Sequence, residues 1–456
     1  MRKLPWLLAD ARQPMATFRA ILLSVCALCL LSSWAWAAAI GQRGVLPNGM
    51  VLLVAEKHAV PIVTATMLIQ AGALWDPSDR PGLANLTAGL LTQGTTTRSA
   101  SQLSEAIEFV GGSLSVDAGQ DVTTVSLSVL SRDLDLGLDL LADILLRPSF
   151  APSEIQRKAQ EVIAGIKHKH EDPGEVSAEA FAALAFGRHP YGRPVEGTEA
   201  SIPTIRREDI VRFHDLYYRP NRTILAVVGD VSLQDLRQRL EGRLGAWPTG
   251  GPAVQPPSPP VPLPGPVVRT IQRDVTQANI TLGHLGVRRD DPDYYAILVM
   301  NYILGGGGFN SRLMTSIREE RGWAYDVGSS FVPDKYSGTF SVTLQTKNET
   351  AQQAIEAVLA EMRRIREQPV GDAELKDAKA YLTGSFPLRL DTSGKIARLL
   401  ANLEYFGLGL DYVDRFPGLI DSVTVADVQR VARQHLDPDR YALAVVADLR
   451  RAQIKE

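Results

Sequence analysis

Hydrophobic and polar positions divide the chain into two runs with the same order of elements. In the first, residues 50–54 and 62–69 read as strands, a helix follows, and 122–129 alternates as a strand in a hairpin. In the second, 278–283 reads as a strand, and 339–344 alternates with Phe340, Val342 and Leu344 on one face. Each run continues with long amphipathic helices, predicted over 133–146 and 350–367, then over 153–169 and 371–385. A last helix and a buried apolar strand close each run.

The closing strands match one another. Residues 220–230, Pro-Asn-Arg-Thr-Ile-Leu-Ala-Val-Val-Gly-Asp, align without a gap with 438–448, Pro-Asp-Arg-Tyr-Ala-Leu-Ala-Val-Val-Ala-Asp. In the preceding helices Asp209, Ile210 and Phe213 stand opposite Asp427, Val428 and Val431. A duplicated module explains both matches. Between the copies, 245–266 is rich in Gly and Pro and reads as a stiff, extended spacer. The expected organisation is a module over 43–247, a proline-rich linker over 248–266 and a second module over 267–452. Strands grouped with long helices, joined by hairpins rather than regular βαβ crossovers, predict an α+β fold of two α/β sandwiches with mostly antiparallel sheets.

One stretch departs from plain periodicity. Gly305, Gly306, Gly307 and Gly308 permit unusual backbone and close approach by another chain. Asn310 or Ser311 then offers an N-cap oxygen, and Phe309, Leu313, Met314 and Ile317 form an apolar helical face. Gly322 is a natural stop, and 325–331 reads as a strand. Arg318 and Tyr325 are thereby presented as two long donors beside a glycine-lined backbone, suited to a peptide or another carbonyl-bearing or anionic group. The run is not a phosphate loop, because no Gly-Lys-Ser/Thr follows.

Composition narrows the class. The 456 residues, 45% of them hydrophobic, suffice for two domains with sizeable cores. Arg2, Lys3, Arg12 and Arg19 precede an apolar run over 20–31, and Ala35-Trp36-Ala37 offers a small-x-small cleavage site. Residues 1–37 are therefore expected to be a secretory signal peptide, with Met1 or Met15 as the start. The apolar run is short for a membrane span. Both cysteines, Cys26 and Cys29, fall inside this leader, which leaves no disulfide or thiolate chemistry afterwards. Cleavage moves the net charge from −3 to −6, since four cations leave together with Asp10. An acidic chain without a basic tract is not expected to bind nucleic acid, nor a membrane once the leader is cut. His168, His170 and Glu171 lie at a helix end on different faces and read as solvated. His58, His214, His284 and His435 show no acids at metal-ligand spacing, and 189–192 reads as a turn.

The duplication, the phrase 305–325 and the closing strand resemble the insulinase-like (M16) zinc peptidases and the mitochondrial processing peptidases, over about residues 43–450. In that family the first module carries His-x-x-Glu-His on a helix after Gly-Leu-Ala. Two imidazoles one turn apart bind zinc, and the glutamate activates water. Here Gly82-Leu83-Ala84 is followed by Asn85-Leu86-Thr87-Ala88-Gly89, so Asn85 and Gly89 stand at the histidine positions and Ala88 at the glutamate position. On the later helix Ala164 and Gly165 replace the family's glutamates, and Glu161 lies one turn away. The resemblance therefore implies no metal in this chain.

Arg318 and Tyr325, seven residues apart, match a pair that the second module of the family presents to a zinc site across a chamber. Taken singly, each would read as a helix-end cation and a strand aromatic. By resemblance, Tyr325 donates to the gem-diolate oxygen formed when water attacks a peptide carbonyl, and Arg318 adds positive charge. The strand opening at Gly112, Ser113 and Leu114 lies where active relatives hold substrate backbone, and reads equally as a plain sheet edge. Some members split the work between two chains. The expectation is a periplasmic, non-zinc-binding subunit that pairs with a His-x-x-Glu-His chain holding the zinc, for peptide hydrolysis. The alternative is an inactive scaffold or binding protein of the same family.

Overall fold

The apolar strands at the heart of each half become the middle of a sheet. A computed structural model describes residues 40–251 and 255–455, so the expected leader and both cysteines lie outside it. The first sheet contains β1 (Gln42–Val45), β2 (Val51–Glu56), β3 (Ile62–Ile69), β4 (Ser113–Ala118), β5 (Thr123–Leu130) and β6 (Thr223–Gly229), in the order β1-β2-β6-β3-β5-β4. The second contains β7 (Val267–Gln272), β8 (Gln277–Gly286), β9 (Ala324–Val332), β10 (Gly338–Lys347) and β11 (Ala442–Ala447), in the order β7-β11-β8-β10-β9. Apart from β1 the two orders are the same. β6 runs parallel to β2 and antiparallel to β3, as β11 does to β7 and β8. Every residue of β6 and β11 is buried, which is why 220–230 and 438–448 share an apolar run.

Helices cover the sheets. In the first half they are α1 (Leu83–Leu90), α2 (Ala100–Phe109), α3 (Leu134–Leu146), α4 (Pro152–Lys169), α5 (Pro173–Phe186), α6 (Arg207–Tyr217) and α7 (Leu233–Leu244). In the second they are α8 (Tyr294–Asn301), α9 (Ala351–Glu367), α10 (Asp372–Ser385), α11 (Ser393–Phe406), α12 (Tyr412–Asp421) and α13 (Val425–His435). The four long helices read from periodicity are α3, α4, α9 and α10, displaced by a residue or so at their ends. The aspartates matched between copies cap their helices: Asp209 Oδ2 accepts from Arg206 N at 2.9 Å, and Asp427 Oδ2 from Thr424 N at 3.0 Å. Ile210, Phe213, Val428 and Val431 beside them are buried. Two mixed sheets packed with helices make this the expected pair of α/β modules.

The modules exchange a helix. α5, from the first half, packs on β8 and β11 of the second sheet, while α11 packs on β3 and β6 of the first. Ala180, Phe181 and Ala185 of α5 share one cluster with Ala442 and Ala444, and Ser177 Oγ lies 2.8 Å from Thr281 Oγ1. Burying Phe181 alone contributes about 2 kcal/mol to this seam. Asp121 adds a polar tie, accepting from the hydroxyls of Tyr191 at 2.5 Å and Tyr405 at 2.9 Å, one from each half. Burial and the neighbouring Asp121 push the Asp334 carboxyl up to about 7. Residues 255–266 contain neither helix nor strand.

Candidate active site

The stretch after α8 is helical, but not in the expected register. α8 runs into a π-helical turn, Tyr302–Gly306, and a second π segment covers Met314–Glu319, where Glu320 N donates to Thr315 O at 3.0 Å. Such wide turns are rare and are often found at functional sites. Ser311 Oγ accepts from Met314 N at 3.4 Å and donates to Gly308 O at 2.7 Å. Gly322, at φ +66, stops the helix as expected. Leu313, Met314 and Ile317 are buried, but Phe309 is 66% exposed and not part of that apolar face. The short 3₁₀ turn Gly308–Asn310 shifts it out of register.

Phe309 lies instead against Arg318. The guanidinium carbon sits 4.9 Å from the Phe309 ring centre and 5.2 Å from that of Tyr325, so the cation is held between two π faces. All three line a cavity of about 630 Å³ with Glu175 and Ser177 of α5, Asn279 and Thr281 of β8, and Gln345 of β10. Tyr325 is 74% exposed, and among the described residues its hydroxyl has no hydrogen-bond partner. Arg318 has no carboxylate partner among them; its nearest polar contact is Met314 Sδ at 3.9 Å. Two unspent donors thus face one cleft, part of whose wall comes from the exchanged helix.

The glycines behave differently from expectation. A Cβ at Gly305 would lie 2.5 Å from Ser329 Oγ and 2.6 Å from Ser329 N; one at Gly306 would lie 2.8 Å from Asn301 Nδ2, and one at Gly307 2.7 Å from Tyr302 O. The close approach these residues permit is to their own chain. Gly308 is an exposed turn at φ +58, and none of the four lines the cavity. Asn301 completes the arrangement, donating to Ser329 O at 3.1 Å and accepting from Ser329 Oγ at 2.8 Å, which ties down the outer strand β9.

In the first module, Asn85, Ala88 and Gly89 lie on α1, which packs against α4 and β4. An amide, a methyl and a bare Cα offer no set of zinc ligands. Lys158 of α4 fills the space instead: its Cε would stand 2.6 Å from a Gly89 Cβ, and its Nζ pairs with Glu161 at 2.7 Å. A cation stationed there opposes a second one. Gly165, on the same helix, is exposed with nothing within 4 Å of a Cβ. The residues present do not fit a zinc ion. Lys158 had no motif to mark it; only its i, i+3 spacing to Glu161 was visible. Ser113 and Leu114 open β4, an edge strand, and with Gly112 just before it they line a cleft of about 540 Å³ with Leu103, Ile107 and Ile144.

Asp76 fixes the start of α1, accepting from Gly82 N and Ala84 N at 2.8 Å each, while burial pushes its carboxyl up to about 7. The turn at 189–192 is as expected, with His189 Nδ1 accepting from Tyr191 N at 3.2 Å. His168 pairs with Glu171 and His170 with Glu179, each at 3.1 Å, so no shared site forms. The expectation that His435 lacks acidic company is corrected: Asp293, distant in sequence, pairs with it at 2.8 Å, and Asp291 lies close by. Arg430, 2.8 Å from Asp293, already supplies a cation there.

Comparison with known proteins decides the family. Residues 51–199 match the family described as Insulinase (Peptidase family M16), and 204–382 match the Peptidase M16 inactive domain. An uncharacterized zinc protease of Mycobacterium leprae is 31% identical over 89% of this chain and 91% of its own. The chain belongs to peptidase family M16. An uncharacterized zinc protease of Bacillus subtilis is 25% identical, over 89% of this chain and 98% of that one. A solved Pseudomonas fluorescens structure described as a peptidase M16 inactive domain superposes with a TM-score of 0.84 at 28% identity, covering 89% and 98% of the two chains. A Helicobacter pylori protease shares the fold, with a TM-score of 0.83 at 19% identity and coverage of 89% and 99%. The present M16 chain is thus zinc-protease-like in sequence and architecture.

Proposed function

We propose that this M16 chain is the non-zinc-binding subunit of a peptide-hydrolysing pair, and that it completes the active site of a second chain carrying His-x-x-Glu-His. The observation that carries the reading is the contrast between modules. Arg318 and Tyr325 stand with unspent donors in an open cleft, whereas the positions on α1 hold Asn85, Ala88 and Gly89 beside Lys158. The zinc belongs to the partner. In the shared chamber the Tyr325 hydroxyl donates to the oxyanion that develops on the peptide carbonyl, and the Arg318 guanidinium lowers its energy by charge. Phe309 and Tyr325 hold that guanidinium in place by stacking. The edge strand β4 offers main-chain groups to an extended peptide. The leader over 1–37 directs the chain to the periplasm.

The test is coexpression with an exported His-x-x-Glu-His chain, followed by a peptide-cleavage assay. Activity is expected only from the mixture. Arg318→Ala or Tyr325→Phe is expected to lower kcat about a hundredfold or more while leaving the complex intact by gel filtration. Undiminished cleavage by both variants would overturn the proposal. A stable complex without peptidase activity would favour a scaffold role instead.

A further inference from the structure

A third concavity lies away from the Arg318 cleft, where the proline segment 256–262 passes the far end of the second sheet. Its volume is about 450 Å³, within the range of small-molecule sites. Pro259, Pro260 and Pro262 form one wall. The other carries Arg288, Arg366, Arg433 and Arg440, with Asp437 as the only carboxylate in the lining. The charges do not balance.

Each basic group can be followed to its partner. Arg440 Nε pairs with Asp437 at 2.6 Å, and Arg288 with Asp290 at 2.7 Å. His435 is taken by Asp293 at 2.8 Å. His284 donates through Nδ1 to Leu285 O at 2.8 Å and accepts through Nε2 from Asp437 N at 3.1 Å, so it sits there as neutral imidazole. Arg366 and Arg433 remain, with no carboxylate partner among the described residues. They are neighbours, since Arg433 Nε donates to Arg366 O at 2.9 Å. Arg366 Nε is enclosed with no partner at all.

Two cations without a carboxylate partner that line one concavity leave it with an uncompensated positive potential, which a bound anion would relieve. Each arginine lies in the last turn of its helix, α9 or α13, where a cation also favours the helix dipole. That accounts for a cation at each end, but not for two facing one proline-walled hollow whose other charges are already paired. We propose that Arg366 and Arg433 form a binding site for a small polyvalent oxyanion, a phosphate or a polycarboxylate, held against the proline segment. Guanidinium forks match the geometry of both groups. The site is independent of the partner-subunit reading, because none of its residues lines the Arg318 cleft.

Calorimetric titration of the purified full chain tests this, with inorganic phosphate in one arm and citrate in the other at constant ionic strength. Saturable binding in at least one arm is expected below about 10 mM, and the stronger arm identifies the ligand class. Arg366→Ala and Arg433→Ala are each expected to weaken it about tenfold, and the double variant to abolish it. Arg433→Lys, which keeps the charge but not the fork, should fall between, and covers the case in which the double variant is unstable. Arg363→Ala, on the same helix as Arg366, removes a surface cation paired with Asp439 and should bind as the unmodified chain does. The anion should also raise Tm, and this rise should vanish in the double variant. No saturable heat in either arm overturns the proposal. So does equal binding by the double variant, or a loss of Tm that is the same with and without anion, which would assign the arginines to the helix ends alone.

Discussion

Two glycines, one in each module, would place a Cβ at nearly the same distance from a neighbour. At Gly305 the neighbour is Ser329, reached at 2.5 Å through its Oγ and at 2.6 Å through its backbone nitrogen; at Gly89 it is the Cε of Lys158, at 2.6 Å. The numbers agree and the physics does not. A strand backbone pinned by Asn301 cannot withdraw, while the end of a lysine side chain can rotate away. In the second module the glycine is a condition of the fold, and it sets where β9, and so Tyr325, must lie. In the first, no rigid neighbour depends on it. One module sets its glycine against a pinned strand beside Arg318 and Tyr325, and the other sets its glycine against a lysine side chain that can move.

The comparison treats the halves as separable, and the strongest attempt to break it is to separate them. Residues 40–251 and 255–455 made as two proteins should each fail to give a cooperative melting transition, because each lacks the helix that covers its sheet. Restored melting on mixing would show that the exchange alone holds them. Next in size is Gly305→Ala, expected to cost about 3 kcal/mol by overpacking against Ser329. Denaturant unfolding measures it, and a cost near zero would dissolve the contrast. Gly89→Ala, its counterpart, should cost less than about 0.5 kcal/mol as Lys158 moves aside.

A test of the seam reads pH instead. The Asp334 carboxyl keeps its proton in the folded chain up to about pH 7 but ionises near pH 4 when unfolded. At this site the native state therefore holds more proton than the unfolded state across that window. The stability this group contributes is fully present below the window and is lost as pH rises from about 4 to about 7, while His189, His214 and His284, whose pKa burial lowers, act in the opposite sense. Asp76, also pushed up to about 7, acts in the same sense as Asp334. Asp334→Asn should remove this contribution, which for a shift of about three units is at most about 4 kcal/mol across the window, read from Tm against pH. An unchanged slope would mean that Asp334 is not the group responsible.

Much of the fold was legible because its elements are long and periodic. α3, α4, α9 and α10 appear where the amphipathic spacing put them, and the duplicated strands are the two that are buried along their whole length. The pairing of Arg318 with Tyr325 was also legible, since a helix, a stop at Gly322 and a strand place them within reach of one cleft. Four features were not. Phe309 was read into an apolar face because periodicity assumes 3.6 residues per turn, and the 3₁₀ and π turns at Gly308–Asn310 and Met314–Glu319 break that register. Lys158 and the company of His435 depend on helices that meet only in three dimensions. The glycine run looked like a surface for a foreign chain, because the sequence says that something comes close without saying what.

The exchange of α5 and α11 carries a consequence about origins. A chain consisting of one module would leave a sheet uncovered and a helix without a seat, and a second identical chain would supply both. Two such chains would have formed a symmetric pair, in which every substitution appears twice and must be tolerated at both places. Joining two such modules end to end removes that constraint. In a joined chain a residue can change in one module and stay in the other. The different residues on α1 and at the Arg318 cleft are of the kind that this freedom permits.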